Sequence, residues 1–368
     1  MALYIGLISG TSVDAIDAVL CDISSSSRRS INLLNTLSLP YPQSLQDELL
    51  KFGKLQYQGD SIDQLGRLDH QVGQYFAEAV KLLLENSPCE ARDIVGIGSH
   101  GQTVRHRPKA DHPFTLQIGD ANIIAAQTGI TTVADFRRKD MAFGGQGAPF
   151  APAFHQAFFA DESELRAVVN LGGIANVTVL RQGKDTIGFD TGPANTLMDQ
   201  WINKHQGLAY DKQGQWALTG SIIQPLLDDL LSEAYFDTLA PKSTGCEYFN
   251  LDWLEPYIKA SYAPEDVQRT LLELTALTVY KDITRYISLG TVYICGGGAH
   301  NKALLGRLQE LLLPIKVETT DVLGINPDWV EAMAFAWFAR QTLNRETVDL
   351  KSITGARENT IIGGIYHP

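Results

Sequence analysis

Three short polar turns, each following an apolar run, carry most of the chemistry this sequence can offer. The first is Gly10-Thr11-Ser12, set between residues 3–8 and 13–21. A glycine there lets the backbone approach a ligand, and hydroxyls with turn amides can cradle phosphate oxygens. Asp14 and Asp17 follow just past the turn, where a divalent cation riding on those phosphates would find oxygen ligands. The second turn, Gly172-Gly173, lies between residues 168–171 and 176–180. The third, Gly296-Gly297-Gly298, closes the strand 291–295 and opens a helix, a geometry that suits a nucleotide. Taken singly, each also reads as an ordinary tight turn with solvated neighbours.

Carboxylates and basic residues at element ends add to this. Asp190 closes the short strand 187–190 beside Thr191-Gly192-Pro193, where it could serve as a base or cap the helix that follows. Glu331 is the only acid in residues 330–339, so it belongs either to an exposed first helical turn or to a site. His100 and Gln102 fall in a polar loop, 99–103, after the strand 94–97. They suit hydrogen bonding to a polyol, or simply closing that loop. Arg137, Arg138 and Lys139 follow the strand 130–134 and would suit an anionic substrate group or a solvated turn. His100, His106 and His112 fall six apart, a spacing that converges on no metal.

The elements that must position these residues are readable from periodicity. Residues 61–86 place Ile62, Leu65, Leu68, Val72, Phe76, Val80 and Leu83 on one helical face, with Ser61 as the expected N-cap. Further helices are expected at 121–127, after Asn195 or Thr196, through much of 220–290 and at 327–339, the last apolar nearly all round. Residues 144–149 read as an interdomain connection or a gate, and 241–247 as an interrupting loop. The hairpin near residue 170 echoes the one near residue 10, which suggests an internal duplication.

Bulk properties narrow the class. A chain of 368 residues with 44% apolar content is expected to build two domains. The net charge of -12 argues against nucleic-acid or anionic-membrane partners. Cys21, Cys89, Cys246 and Cys295 form no CxxC pair, which argues against zinc or a disulfide framework and fits a reducing, cytoplasmic setting. There is no basic signal-peptide start and no membrane-length apolar run. The third turn is not GxGxxG, and the chain contains no Walker GxxxxGK[ST], GxSxG or HExxH pattern, which removes P-loop ATPases, α/β-hydrolases and zincin proteases.

Glycine turns near both ends and at the centre, with acids at strand ends, resemble the superfamily of actin, hexokinase-type sugar kinases and heat-shock ATPases. Within it, nine segments narrow the likeness. They are GLISGTSVDAID (6–17), SHGQT (99–103), DFRRKD (135–140), GGQGAP (144–149), NLGGIAN (170–176), GFDTGPAN (188–195), PKSTG (241–245), CGGGAHN (295–301) and EAMAFAW (331–337). In that order they resemble the motif series of anhydro-N-acetylmuramic acid kinases across nearly the whole chain. Ala15 and Ala194 stand where that family usually has glycine, and Cys246 where arginine commonly follows PKSTG.

The resemblance implies an α/β fold of two RNase H-like domains with a nucleotide cleft between them, expected at 1–138 plus 341–368 and at 139–340. It implies ATP and Mg²⁺, with the 6-oxygen of 1,6-anhydro-N-acetylmuramic acid phosphorylated as water opens the anhydro bridge. Asp190 would be the base for water and Glu331 would hold the sugar or that water. Gly10, Thr11, Ser12, Gly172 and Gly173 would bind phosphates, Gly297 and Gly298 adenosine, and Asp14 or Asp17 the metal, directly or through water. Arg137 or Arg138 would meet the lactyl carboxylate, with His100 and Gln102 on the sugar. Small-molecule partners alone are expected, and a homodimer stays open. Two rival readings remain: a kinase of the same architecture with an ordinary hydroxyl acceptor, and an ATP-driven binding module of the actin or chaperone kind.

Overall fold

The computed structural model describes every residue except 11, 25–30 and 182. Contacts divide the chain into two compact units, Met1–Phe158 with Trp329–Pro368, and Phe159–Asp328. The first holds β1 (Leu3–Ser9), β2 (Ala15–Asp22), β3 (Asn32–Pro40), β4 (Ile94–Arg107), β5 (Phe114–Ile118) and β6 (Thr132–Ala134). The second holds β7 (Arg166–Leu171), β8 (Ile174–Leu180), β9 (Ile187–Pro193), β10 (Thr291–Cys295) and β11 (Lys316–Thr319), before β12 (Gly364–Tyr366) returns to the first.

One sheet runs β12-β6-β4-β1-β2-β3, with β5 paired to β4, and the other runs β11-β10-β7-β8-β9. In the first, β1 pairs antiparallel with β2 and parallel with β4. In the second, β7 pairs antiparallel with β8 and parallel with β10. The same scheme is therefore built twice, as the paired hairpins suggested. All seven residues of β1 are buried, which is why that strand reads as an unbroken apolar run.

The helix Val330–Leu343 lies against β1 and β4 at unusually close range. A Cβ on Gly6 would stand 1.9 Å from the Ala332 carbonyl, and one on Gly98 1.9 Å from that of Phe335. Every residue from Ala332 to Ala339 is buried, which accounts for a helix apolar nearly all round. This packing also moves the expected boundary, since residues 139–158 and 329–340 fall in the first unit, not the second.

Other expectations change for local reasons. The helix Ser61–Glu85 buries Leu68, Val72, Phe76, Val80 and Leu83, but Asp60 is its N-cap, accepting from the Ile62 and Asp63 amides at 2.7 and 3.3 Å. Residues 99–103 are not a loop. They continue β4, because residues 102–107 find partners on β5. The basic run 137–139 lies in a short helix, Phe136–Ala142, not a turn. Residues 144–149 neither connect the units nor hang free. The Gly147 amide donates to Asp140 Oδ2 at 2.8 Å, and Thr354 Oγ1 donates to Asp140 Oδ1 at 2.7 Å. The stretch 220–290 is helical only in part, chiefly at Gln224–Leu231 and Pro264–Thr284. No helix among the described residues is long and apolar enough to cross a membrane.

Candidate active site

In the first unit, β1 and β2 meet with Ile8 opposite Asp17, so the turn between them is short. The Val13 amide closes it onto the Gly10 carbonyl at 3.2 Å, and Val13 itself sits at φ 56°. A β-branched residue resists that region, so the turn is held under strain by its surroundings. Gln102 supplies part of the hold. Its amide donates to the Gly10 carbonyl at 3.0 Å and accepts from Ser9 Oγ at 2.6 Å. Gln102 thus ties β4 to the turn, using the groups expected to meet a polyol. Ser12 Oγ donates to Asp14 Oδ1 at 2.6 Å. Thr11 lies outside the described residues.

A second cluster in the same unit centres on Arg137. Its Nε donates to His100 Nε2 at 2.8 Å and its Nη1 to the Gly147 carbonyl at 2.7 Å. Arg138, by contrast, pairs with Asp135 at 2.7 Å. No such ion pair is formed by Arg137 among the described residues. Burial pushes its pKa down to about 10, opposed by Glu331 and Asp140. The His100 ring is buried and its Nδ1 is 2.9 Å from the Gly101 carbonyl, so both ring nitrogens are engaged and none remains for a sugar hydroxyl. Surrounding protein raises the Glu331 carboxyl above its usual range, with Arg137 opposing and Asp17 adding to the rise. The structure therefore brings Arg137, Glu331, His100 and Asp17 together.

In the second unit, Asp190 is not at a strand end but inside β9, opposite Asn176. One oxygen, Oδ2, accepts from Ser243 Oγ and from the Thr244 amide, both at 3.0 Å. Its amide donates to the Lys242 carbonyl at 3.1 Å, and its carbonyl accepts from Tyr235 Oη at 2.7 Å. Loss of water around the carboxyl pushes its pKa up to about 6. The Thr244 and Ser243 donors and Lys242 oppose the shift, and Glu247 adds to it. Lys242 is itself buried and paired with Asp282 at 2.7 Å. Residues 242–244 were readable only as part of a loop, because nothing in the chain order links them to a strand fifty residues earlier. Beside them, Glu233, Tyr235, Ser243, Thr244, Glu247 and Tyr248 line a cavity of about 590 Å³.

The glycines divide by what the protein itself demands of them. A Cβ on Gly298 would stand 2.5 Å from Leu171 Cβ, and one on Gly173 3.1 Å from Cys246 Sγ, so packing accounts for both. A Cβ on Gly10 or Gly172 would meet nothing closer than 3.6 Å, and one on Gly297 nothing within 4 Å. None of these last three has a positive φ. Neither torsion nor packing requires glycine at these three positions. Asp14 and Asp17 offer carboxylate oxygens, the donors a hard cation takes, though no cluster of three such side chains exists among the described residues.

The sequence profile described as Anhydro-N-acetylmuramic acid kinase matches residues 2–368. The chain belongs to the anhydro-N-acetylmuramic acid kinase family. It is similar to the proteins of that name from two Coxiella burnetii strains, Dugway 5J108-111 and RSA 493 / Nine Mile phase I. Each is 49% identical over 367 residues, spanning 99% of this chain and 97% of the relative. Among solved structures, component A of (R)-2-hydroxyglutaryl-CoA dehydratase from Acidaminococcus fermentans is 12% identical, over 92% of this chain and 97% of that one, at a TM-score of 0.48. A ROK family glucokinase from Streptomyces griseus is 15% identical, over 92% and 100%, at 0.42. Likenesses at these scores carry no argument about ligand or mechanism. As a member of the anhydro-N-acetylmuramic acid kinase family the chain is a phosphotransferase, which sets aside the reading as a binding module.

Proposed function

We propose that this kinase transfers the γ-phosphoryl group of ATP to O6 of 1,6-anhydro-N-acetylmuramic acid while water adds at the anomeric carbon. The products are N-acetylmuramic acid 6-phosphate and ADP, and the step serves murein recycling in the cytoplasm. Asp190 is the observation that carries the reading. Among the described residues its carboxylate is held through Oδ2 alone, and its pKa is pushed up to about 6. Such a group is ionised at neutral pH yet basic enough to take a proton from water.

The water oxygen bonds to C1 as its proton passes to Asp190 Oδ1. The C1–O6 electron pair goes to O6, and O6 takes the phosphoryl group as ADP departs. Capture by phosphorus does for O6 what protonation by a general acid ordinarily does for a glycosidic leaving oxygen. Gly10, Thr11, Ser12, Gly172 and Gly173 are assigned to the phosphates, and Gly297 and Gly298 to adenosine. Open space around Gly10, Gly172 and Gly297 supports three of these. Asp14 and Asp17 would hold Mg²⁺, which neutralises charge on the phosphates when bound. Arg137, which forms no ion pair among the described residues while Arg138 forms one, is assigned to the lactyl carboxylate. Glu331, beside Arg137 and Asp17, is assigned to the sugar or the attacking water.

Incubation with MgATP and the anhydro sugar in ¹⁸O-water tests this directly. The expected product gains one phosphate and one water, with the label on C1. A product that gains phosphate alone overturns ring opening and makes the protein a kinase for an ordinary hydroxyl.

A further inference from the structure

The environment of Arg137 is unusual in what holds it. A half-buried guanidinium is most often fixed by a carboxylate, which also cancels its charge. Among the described residues both of its hydrogen-bond acceptors are neutral: His100 Nε2 at 2.8 Å from Nε, and the Gly147 carbonyl at 2.7 Å from Nη1. The Phe150 ring centroid lies 5.3 Å from the guanidinium carbon, which restrains its plane. The Gly147 carbonyl is steadied in turn, since its own amide is bound to Asp140.

His100 can act as an acceptor in only one state. Arginine N–H groups donate and never accept, so Nε2 must present its lone pair. The ring proton is then on Nδ1, donated to the Gly101 carbonyl at 2.9 Å. The Phe335 ring, with centroids 4.8 Å apart, packs against the imidazole, and the residue is buried within β4. Protonating Nε2 would set two cations against each other in a buried site. Burial first, and then Arg137, hold its pKa well below the usual histidine range.

We propose that His100 is a positioning residue that aims Arg137 without neutralising it, and so sets the preference for an anionic substrate over its neutral isostere. Two of the guanidinium's donors are spent on orientation. Among the described residues one hydrogen of Nη1 and both of Nη2 remain, enough for the paired bonds by which a guanidinium recognises a carboxylate. A carboxylate in place of His100 would hold the same geometry but leave less charge to attract an anion. This inference rests on the reading of Arg137 as the group that meets the lactyl carboxylate.

The test measures KM and kcat for anhydro-N-acetylmuramic acid and for the same sugar with its carboxylate converted to a primary amide. His100→Met, which keeps bulk but offers no comparable acceptor, is expected to raise KM for the acid about ten- to a hundredfold, as loss of a bond to a charged group implies. KM for the amide and for MgATP should stay near the parent values, which also reports that the protein is folded. His100→Gln, whose carbonyl can accept from Arg137, is expected to restore most of the preference. Arg137→Ala should abolish it. If Arg137→Ala leaves the acid-over-amide preference intact, the reading of Arg137 fails. If Arg137→Ala removes it while His100→Met leaves it intact, or if His100→Gln is as damaging as His100→Met, the positioning role of His100 is overturned.

Discussion

Replacing Asp190 with Asn separates catalysis from stability in opposite directions. In the folded protein the Asp190 pKa rises from 3.8 to about 6. A rise of roughly two units, at about 1.4 kcal/mol each, is on the order of 3 kcal/mol. Because the residue is only half-buried, solvent screening lowers this to about 1–2 kcal/mol. The sign follows from the direction of the shift. A raised pKa contributes stability that is full below about 4 and is lost as pH rises through about 6, so the ionised carboxylate is a burden on the fold at pH 8. Asn never ionises and can still accept from Ser243 and the Thr244 amide. Asp190→Asn is therefore expected to raise the melting temperature at pH 8 by about 2–8 °C, with the gain fading by pH 4.5. Turnover should fall by about 10²–10⁴, with ATP binding retained. Thermal melts at the two pH values, beside initial rates, measure both. Near-normal turnover refutes the assignment of Asp190 as base. A gain equally large at pH 4.5, or a loss at pH 8, refutes the burial reasoning.

Ser243→Ala removes a donor to the ionised form of Asp190, so the acid limb of kcat should move upward from about 6, and an unmoved limb would contradict the hydrogen bond's role. Lys242→Met leaves the buried Asp282 with Arg285 alone, at 3.0 Å, and should cost about 3–5 kcal/mol by denaturant unfolding. Gly6→Ala places a methyl group against the Ala332 carbonyl and should cost at least about 1–3 kcal/mol, because backbone on both sides must move. A change below about 0.5 kcal/mol, the range of a neutral surface substitution, would mean that the helix Val330–Leu343 shifts freely.

Local chemistry was legible in the chain itself. Apolar runs bounded by glycine turns specified β1 with β2, and β7 with β8, because strand period and turn residues act over a few positions. The same turns marked Gly10, Gly172 and Gly297, and Asp190 stood out as an acid beside Gly-Pro. Element ends were harder. Ser61 looked like a cap and Asp60 is one, since neighbouring polar residues compete for the same amides. Residues 99–103 looked like a loop because their polar side chains hide the pairing with β5, which the backbone makes regardless of side-chain type.

Everything that depended on distance in the chain was decided by the fold. That Arg138 and not Arg137 forms an ion pair among the described residues follows from where the helix Phe136–Ala142 aims each side chain. The engagement of His100 and Gln102 depends on β4 lying beside β1 and near that helix. Ser243 and Thr244 reach Asp190 across 53 and 54 residues of sequence. The opening turn shows both levels at once. Its glycine and hydroxyls are written in residues 10–12, but the hydrogen bond from Gln102 that holds the Gly10 carbonyl exists only once β4 lies beside β1. Sequence carries torsional preference and residue chemistry, which are local; proximity, burial and the resulting proton affinities arise only when distant segments pack.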